Sequence, residues 1–174
     1  MAVVSVAVLR INISKMSEGE HQFPFETEPA DIGLSEQFVQ KVRVQAVIEK
    51  SNRQVFLEVR ASSGGLFSCD RCLDQFIEKL EAAYTILYVT ENHAPSDDGG
   101  GREIQVISPD TNYIDLDEDV RQYLTLAIPQ KLLCSDGCKG LCLKCGVNRN
   151  RVSCSCQIEE TDPRWDTLKK FSGN

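Results

Sequence analysis

The sequence predicts an α+β fold: a mainly antiparallel β-sheet or partly open barrel, covered by one or two helices and carrying a cysteine-rich, zinc-bound C-terminal lobe. Three observations carry this prediction. Val42, Val44, Ala46 and Ile48 alternate strictly with polar residues, as do Val55, Leu57, Val59 and Ala61, which is the period of a half-buried strand. The stretch around Leu116, Val120, Tyr123, Leu124 and Ala127 instead has the helical period. Six of the eight cysteines fall between Cys134 and Cys156, too dense for a core and well spaced for metal.

The first strand is predicted over Val3–Ile13, where apolar residues switch from Val4, Val6 and Val8 to Leu9, Ile11 and Ile13, a change of face that suggests a bulge. Phe23-Pro24-Phe25 reads as extended, with Pro24 confining it to a sheet edge or a turn. The two alternating runs then form an antiparallel hairpin about Lys50-Ser51-Asn52, and Ser62-Ser63-Gly64-Gly65 is predicted to turn the chain again. Cys69 and Cys72 follow at a hairpin tip, because Phe76, Leu80, Ala82, Tyr84, Ile86 and Tyr88 lie on one face of a long strand beyond them.

Residues 91–102 lack apolar content and are predicted to form a mobile loop, with His93 as a solvent-exposed loop residue. Strand character returns at Glu103–Ile107 and Tyr113-Ile114. Asp115 is predicted to cap a helix, with Glu118 completing a capping box and Pro129 ending it. A second short helix is predicted from Asp162-Pro163-Arg164-Trp165, with Trp165, Leu168 and Phe171 docked on the body. The expected organisation is a β body over 1–130 and a metal lobe over 131–174 packed on it.

The cysteines form four close pairs: Cys69/Cys72, Cys134/Cys138, Cys142/Cys145 and Cys154/Cys156. Eight thiols make two tetrahedral sets, and Gly146, directly after Cys142-Leu-Lys-Cys145, suits the tight turn that points two sulfurs at one ion. The short ribbon between Cys145 and Cys154 favours Cys142, Cys145, Cys154 and Cys156 as one site, leaving Cys69 and Cys72 with Cys134 and Cys138. That long-range closure costs roughly 4 kcal/mol, small beside the roughly 10 to 16 kcal/mol of a structural zinc. The pairing of Cys134 and Cys138 with Cys142 and Cys145 stays open, although it too leaves a long-range closure. A disulfide framework fits poorly with this length and with metal-like pairs, and no ferredoxin spacing occurs.

The chain has 174 residues, 41% hydrophobic content and a net charge of −7. This suffices for a core, while the apolar run Ala2–Leu9 is too short to span a membrane and lacks a basic start, so a reducing cytoplasm is expected. The charge argues against broad nucleic-acid binding. Its distribution is uneven: between Lys131 and Cys156 stand Lys131, Lys139, Lys144, Arg149 and Arg151 against Asp136 alone.

Cys69-Asp70-Arg71-Cys72-Leu73, Leu126-Ala127-Ile128-Pro129, Cys138-Lys139-Gly140-Leu141-Cys142 with Lys144-Cys145-Gly146 and Asn148, Cys154-Ser155-Cys156, and Asp162-Pro163-Arg164-Trp165 occur in that order. Together they resemble the YceD-like family, the bacterial and plastid proteins described as large ribosomal RNA subunit accumulation proteins, over roughly residues 35 to 170. The chain departs from the family pattern at Leu143 and Arg149, neither a proposed ligand. The resemblance implies a role in accumulation or maturation of the large-subunit ribosomal RNA, without an established catalytic activity.

The residues themselves agree in containing no zinc-hydrolase, deaminase or phosphate-loop pattern and no evident small-molecule site. All-cysteine sites are closed and structural. The expectation is thus a non-catalytic factor with two zinc ions. Arg71, Lys139, Lys144, Arg149 and Arg151 are its candidate contacts to ribosomal RNA, a large-subunit ribosomal protein or an assembly factor. The acidic stretch Asp110–Asp119 is an alternative contact for a basic protein, and Asp115, Asp117 and Asp119 an alternative Mg²⁺ set. A thiol redox or metal sensor using Cys154/Cys156 is the alternative function.

Overall fold

A computed structural model describes residues 8–90 and 103–156. The predictions for Val3 to Ala7, for the loop with His93 and for the helix around Trp165 lie outside those residues. The chain divides into two compact units, one formed by Met1–Phe67 and Phe76–Gln130, the other by Ser68–Gln75 and Lys131–Asn174.

The first unit is α+β, with β1 (Arg10–Asn12), β2 (Gly19–Thr27), β3 (Val42–Lys50), β4 (Gln54–Ser68), β5 (Gln75–Thr90), β6 (Glu103–Ile107), β7 (Tyr113–Asp115) and helix α1 (Asp117–Leu126). β2-β3-β4-β5-β6 form an open five-stranded sheet, and β1 and β7 a separate antiparallel pair. The alternating runs do form the β3–β4 hairpin, with Val44 opposite Ala61 and Ala46 opposite Val59. Their apolar members are buried with Leu80, Tyr84, Ile86 and Tyr88 of β5. β2 is an edge strand, which accommodates Pro24.

The helical stripe faces this core. Leu116, Val120 and Leu124 are fully buried, and the Tyr123 ring stacks on Tyr84 with centroids 4.3 Å apart. Among the described residues no helix is long and apolar enough to cross a membrane.

Three features depart from the sequence expectations or go beyond them. The Ser62–Gly65 segment does not turn: β4 runs through it to Ser68. The missing Cβ atoms admit another chain segment instead. Val39 and Gln40 N–H both donate to the Gly64 carbonyl, and a Cβ at Gly64 would lie 2.3 Å from Gln40 Oε1. Second, β6 joins β5 in parallel, Val89 opposite Val106, a pairing that the sequence reading did not specify and that leaves the sheet mainly antiparallel, as expected, with one parallel edge. The chain between them is long enough for the crossover that parallel pairing needs.

Third, Asp115 does not cap the helix. It ends β7 and forms an ion pair with Arg10, whose side chain comes from β1. α1 begins two residues later without a side-chain cap, and the Asp117 carboxylate accepts the Val8 and Leu9 N–H groups at 2.9 and 2.7 Å. Among the described residues, the two amides that precede β1 are thus held by a carboxylate, while the Leu9 carbonyl accepts the Leu116 N–H. Asp117→Ala is expected to cost about 2 kcal/mol, the worth of hydrogen bonds to a charged acceptor, read as a lower urea midpoint.

Candidate metal centre

All eight cysteines belong to the second unit. They converge into two groups, Cys69, Cys72, Cys134 and Cys138, and Cys142, Cys145, Cys154 and Cys156, with the sulfurs of each group within 4.8 Å of one another. This is the combination the ribbon length favoured, and the rival set of Cys134, Cys138, Cys142 and Cys145 is not formed. In the first group Cys69 Sγ lies 3.8 Å from Cys138 Sγ, and Cys72 Sγ lies 3.6 Å from Cys134 Sγ. A tetrahedron of thiolates at a zinc–sulfur distance of about 2.3 Å has edges of about 3.8 Å, so the sulfurs present fit such an ion.

The two Cys-x-x-Cys turns share one geometry. Leu73 N–H donates to the Cys69 carbonyl at 2.9 Å, and Gly146 N–H to the Cys142 carbonyl at 2.8 Å. Both residues occupy the left-handed region, with φ of 61° and 71°. Each turn aims two amides at its leading sulfur. The N–H of Cys134, then those of Arg71 and Cys72, hold the Cys69 thiol down to about 6. The N–H groups of Cys145 and Lys144 do the same for Cys142, also to about 6.

Cys72 and Cys156 show what crowding does. Cys72 receives the Asp74 N–H, which favours its thiolate, yet burial and the neighbouring sulfurs push it up to about 12. Cys156 is pushed up to about 12 by its hydrogen bond with Cys145, by burial and by Cys142. Four adjacent negative charges need a central cation, and a divalent ion reverses the repulsion.

A web of polar contacts sets these turns. Asp70 accepts the Leu132 N–H at 2.7 Å, and Arg71 donates to the Cys138 carbonyl at 2.9 Å. Asp74 accepts from the Asn148 side chain at 2.8 Å and pairs with Arg151 at 3.0 Å. Leu141 N–H donates to the Arg71 carbonyl, and Gly140 closes the approach with φ of 70°.

Asn150, in the ribbon between Cys145 and Cys154, takes a role that the spacing of the cysteines did not reveal. Its amide nitrogen donates to Cys138 Sγ at 3.2 Å, while its oxygen accepts the Lys139 N–H at 2.7 Å. The available signal was an amide side chain, donor and acceptor together, inside a thiolate ribbon. Asn150→Ala is expected to leave the fold intact at a cost of about 1 to 2 kcal/mol and to speed metal loss to a chromogenic chelator.

The other candidate contacts separate. Lys139, Lys144 and Arg149 are exposed and form no ion pair among the described residues, whereas Arg71 and Arg151 are engaged as above. The acidic stretch is tied into its own unit: Asp115 to Arg10, Asp117 to two backbone amides, and Glu118 to Arg121 and Gln122. Asp119 sits half-buried and its carboxyl is raised by desolvation, then by Glu103 and Glu118. The three aspartates offered for Mg²⁺ thus have separate surroundings, and the two cysteine groups are the metal-competent clusters among the described residues.

Comparison with known proteins agrees with these motifs. A relative from Arabidopsis thaliana, named a chloroplastic homolog 1 of large ribosomal RNA subunit accumulation protein YCED, is 38% identical over 60 residues, 34% of this chain and 19% of the relative. Its Zea mays counterpart is 42% identical over 45 residues, 25% of this chain and 15% of the relative. An uncharacterized protein of Mycobacterium tuberculosis is 25% identical over 126 residues, 72% of this chain and 59% of that protein. The matches therefore span less than two thirds of these relatives' own lengths. No solved structure matches. The family model described as large ribosomal RNA subunit accumulation protein YceD matches residues 66–172, more than half of the sequence and all eight cysteines, and the chain belongs to that family.

Proposed function

We propose that the chain is a non-catalytic, zinc-stabilised factor that supports accumulation of the large-subunit ribosomal RNA in the cytoplasm, acting on the RNA itself. The carrying observation is the convergence of eight sulfurs into two closed groups in a chain of this family. Zinc fits the donor set, since four thiolates at tetrahedral spacing suit a borderline-soft ion with no redox chemistry of its own. Once bound, such an ion supplies cross-linking rather than a reactive position, because all four ligands come from the protein.

RNA is favoured over a ribosomal protein by the disposition of charge. Asp70 and Asp74, at the Cys69–Cys72 turn, accept hydrogen bonds within the lobe, while Lys139, Lys144 and Arg149 form no ion pair among the described residues and outnumber the exposed Asp136. Two four-thiolate zinc sites would carry about −2 each, so the contact is local rather than a broad electrostatic field. A thiol sensor has one observation in its favour: in the second group Cys145 is exposed, Cys154 and Cys156 are half-buried and Cys142 alone is buried, whereas in the first group Cys69, Cys72 and Cys138 are buried and Cys134 alone is exposed.

The test is depletion of the protein in its own cells, with the ratio of large- to small-subunit ribosomal RNA measured before and after. A fall that the wild-type gene restores supports the reading, and an unchanged ratio overturns it. A ratio restored by wild type but sensitive to mild peroxide, with zinc leaving the second group, would move the reading to the sensor.

A further inference from the structure

Leu73 is the one non-glycine residue at positive φ among the described residues, and it is 66% exposed. The left-handed region strains a residue with a side chain, and an exposed leucine recovers little of this by burial. The matching position of the other turn is Gly146, which avoids the cost. Leucine at position 73 thus gives the isolated chain little in return for its strain, whereas covering its side chain by a partner would.

The surroundings indicate which partner. The Leu141 N–H to Arg71 carbonyl bond and the Arg149 N–H to Gly140 carbonyl bond bring Lys139 and Arg149 beside the Cys69–Cys72 turn. Both are exposed, while the neighbouring Asp70 and Asp74 accept hydrogen bonds from within the lobe. An apolar point flanked by cations that form no ion pair among the described residues matches an unpaired nucleotide, which offers a base face and a phosphate together. A duplex offers the phosphates but keeps its base faces stacked.

We propose that Leu73, flanked by Lys139 and Arg149, contacts a single-stranded RNA segment, the leucine against an unstacked base and the cations on adjacent phosphates. This rests on the reading of the chain as a factor acting on ribosomal RNA.

The test uses the full zinc-loaded chain, a short unstructured oligoribonucleotide and a duplex of the same length, followed by fluorescence anisotropy at several salt concentrations. Wild type is expected to prefer the single strand. Leu73→Gly, and independently Leu73→Asn, should keep the wild-type zinc content and melt no lower, yet bind the single strand roughly tenfold more weakly, the worth of one buried leucine. Their salt dependence should be unchanged. Lys139→Ala with Arg149→Ala should weaken both RNAs and flatten the salt slope by about one and a half.

Wild-type affinity in both Leu73 variants would overturn the leucine contact and leave the ribosomal reading standing. So would a lower melting temperature in both variants, since the leucine would then serve the fold. Equal binding of single strand and duplex by wild type overturns the inference as well. No RNA binding at all, with the chain still cosedimenting with large-subunit precursors, assigns the surface to a protein partner and overturns it too.

Discussion

Cys72→Ser is expected to lower the zinc content from two ions per chain to one, because a hydroxyl replaces one of the four sulfurs that converge in the first group. The apparent free energy at stake is on the order of 10 kcal/mol, the scale of a structural zinc, well above the ~1 kcal/mol typical of a point substitution. Cys69, Cys72 and Cys138 are buried, so the metal-free group would leave unpaired thiols crowded together in the lobe. Elemental analysis beside a count of reactive thiols reads the loss directly. Retention of two zinc ions by Cys72→Ser would show that these four sulfurs are not one site. Cys154→Ser should likewise remove one ion, from the second group, and leave the first closed.

Gly140→Ala is expected to be the most damaging change that touches no ligand. Gly140 has φ of 70°, and an added Cβ would lie 3.0 Å from the Arg71 carbonyl oxygen, a backbone atom with little freedom to retreat. The left-handed penalty of about 1 to 2 kcal/mol adds to an overpacking cost of about 1 to 3 kcal/mol. The same contact positions Arg71 N–H, one of the amides that hold the Cys69 thiolate. Weaker zinc retention should therefore accompany the lower melting temperature. Gly137→Ala is the control, since nothing lies within 4 Å of its added Cβ and its φ is not positive. Equal melting temperatures for the two variants would refute this account of Gly140.

The parts of the fold legible in the sequence were those decided by local periodicity. The β3–β4 hairpin, the buried face of β5 and the helix stripe each follow from a repeat that one element satisfies alone. The misread parts depend on a partner distant in sequence. Ser62–Gly65 reads as a turn by composition because its glycines answer to Val39 and Gln40, more than twenty residues earlier. Asp115 reads as a cap because Arg10 is absent from its local window.

The same division holds in the lobe. The cysteine pairs were legible because a ligand pair is a local object, and the short ribbon constrained how the second group combined. Asn150 was not, because its value lies in reaching Cys138 Sγ while accepting the Lys139 N–H, a geometry that spacing does not encode. The division of the bases into engaged Arg71 and Arg151 and, among the described residues, unpaired Lys139, Lys144 and Arg149 likewise depends on where Cys138 and Asp74 come to rest.

The first sulfur group also bears on the order of events during synthesis. Cys72 and Cys134 are 62 positions apart, and β5, β6, β7 and α1 are all encoded between them. A nascent chain that has emerged only through β5 carries Cys69 and Cys72 as an open dithiol, two ligands short of a closed site. Such a half-site holds zinc weakly and exchanges it quickly, and it becomes retentive only when Cys134 and Cys138 arrive. By then every strand of the first unit and its helix have been made. Zinc capture there would mark the completion of the first unit's strands and helix rather than of the chain, and a ribosome stalled before Cys138 would release a product unable to keep the ion in this group.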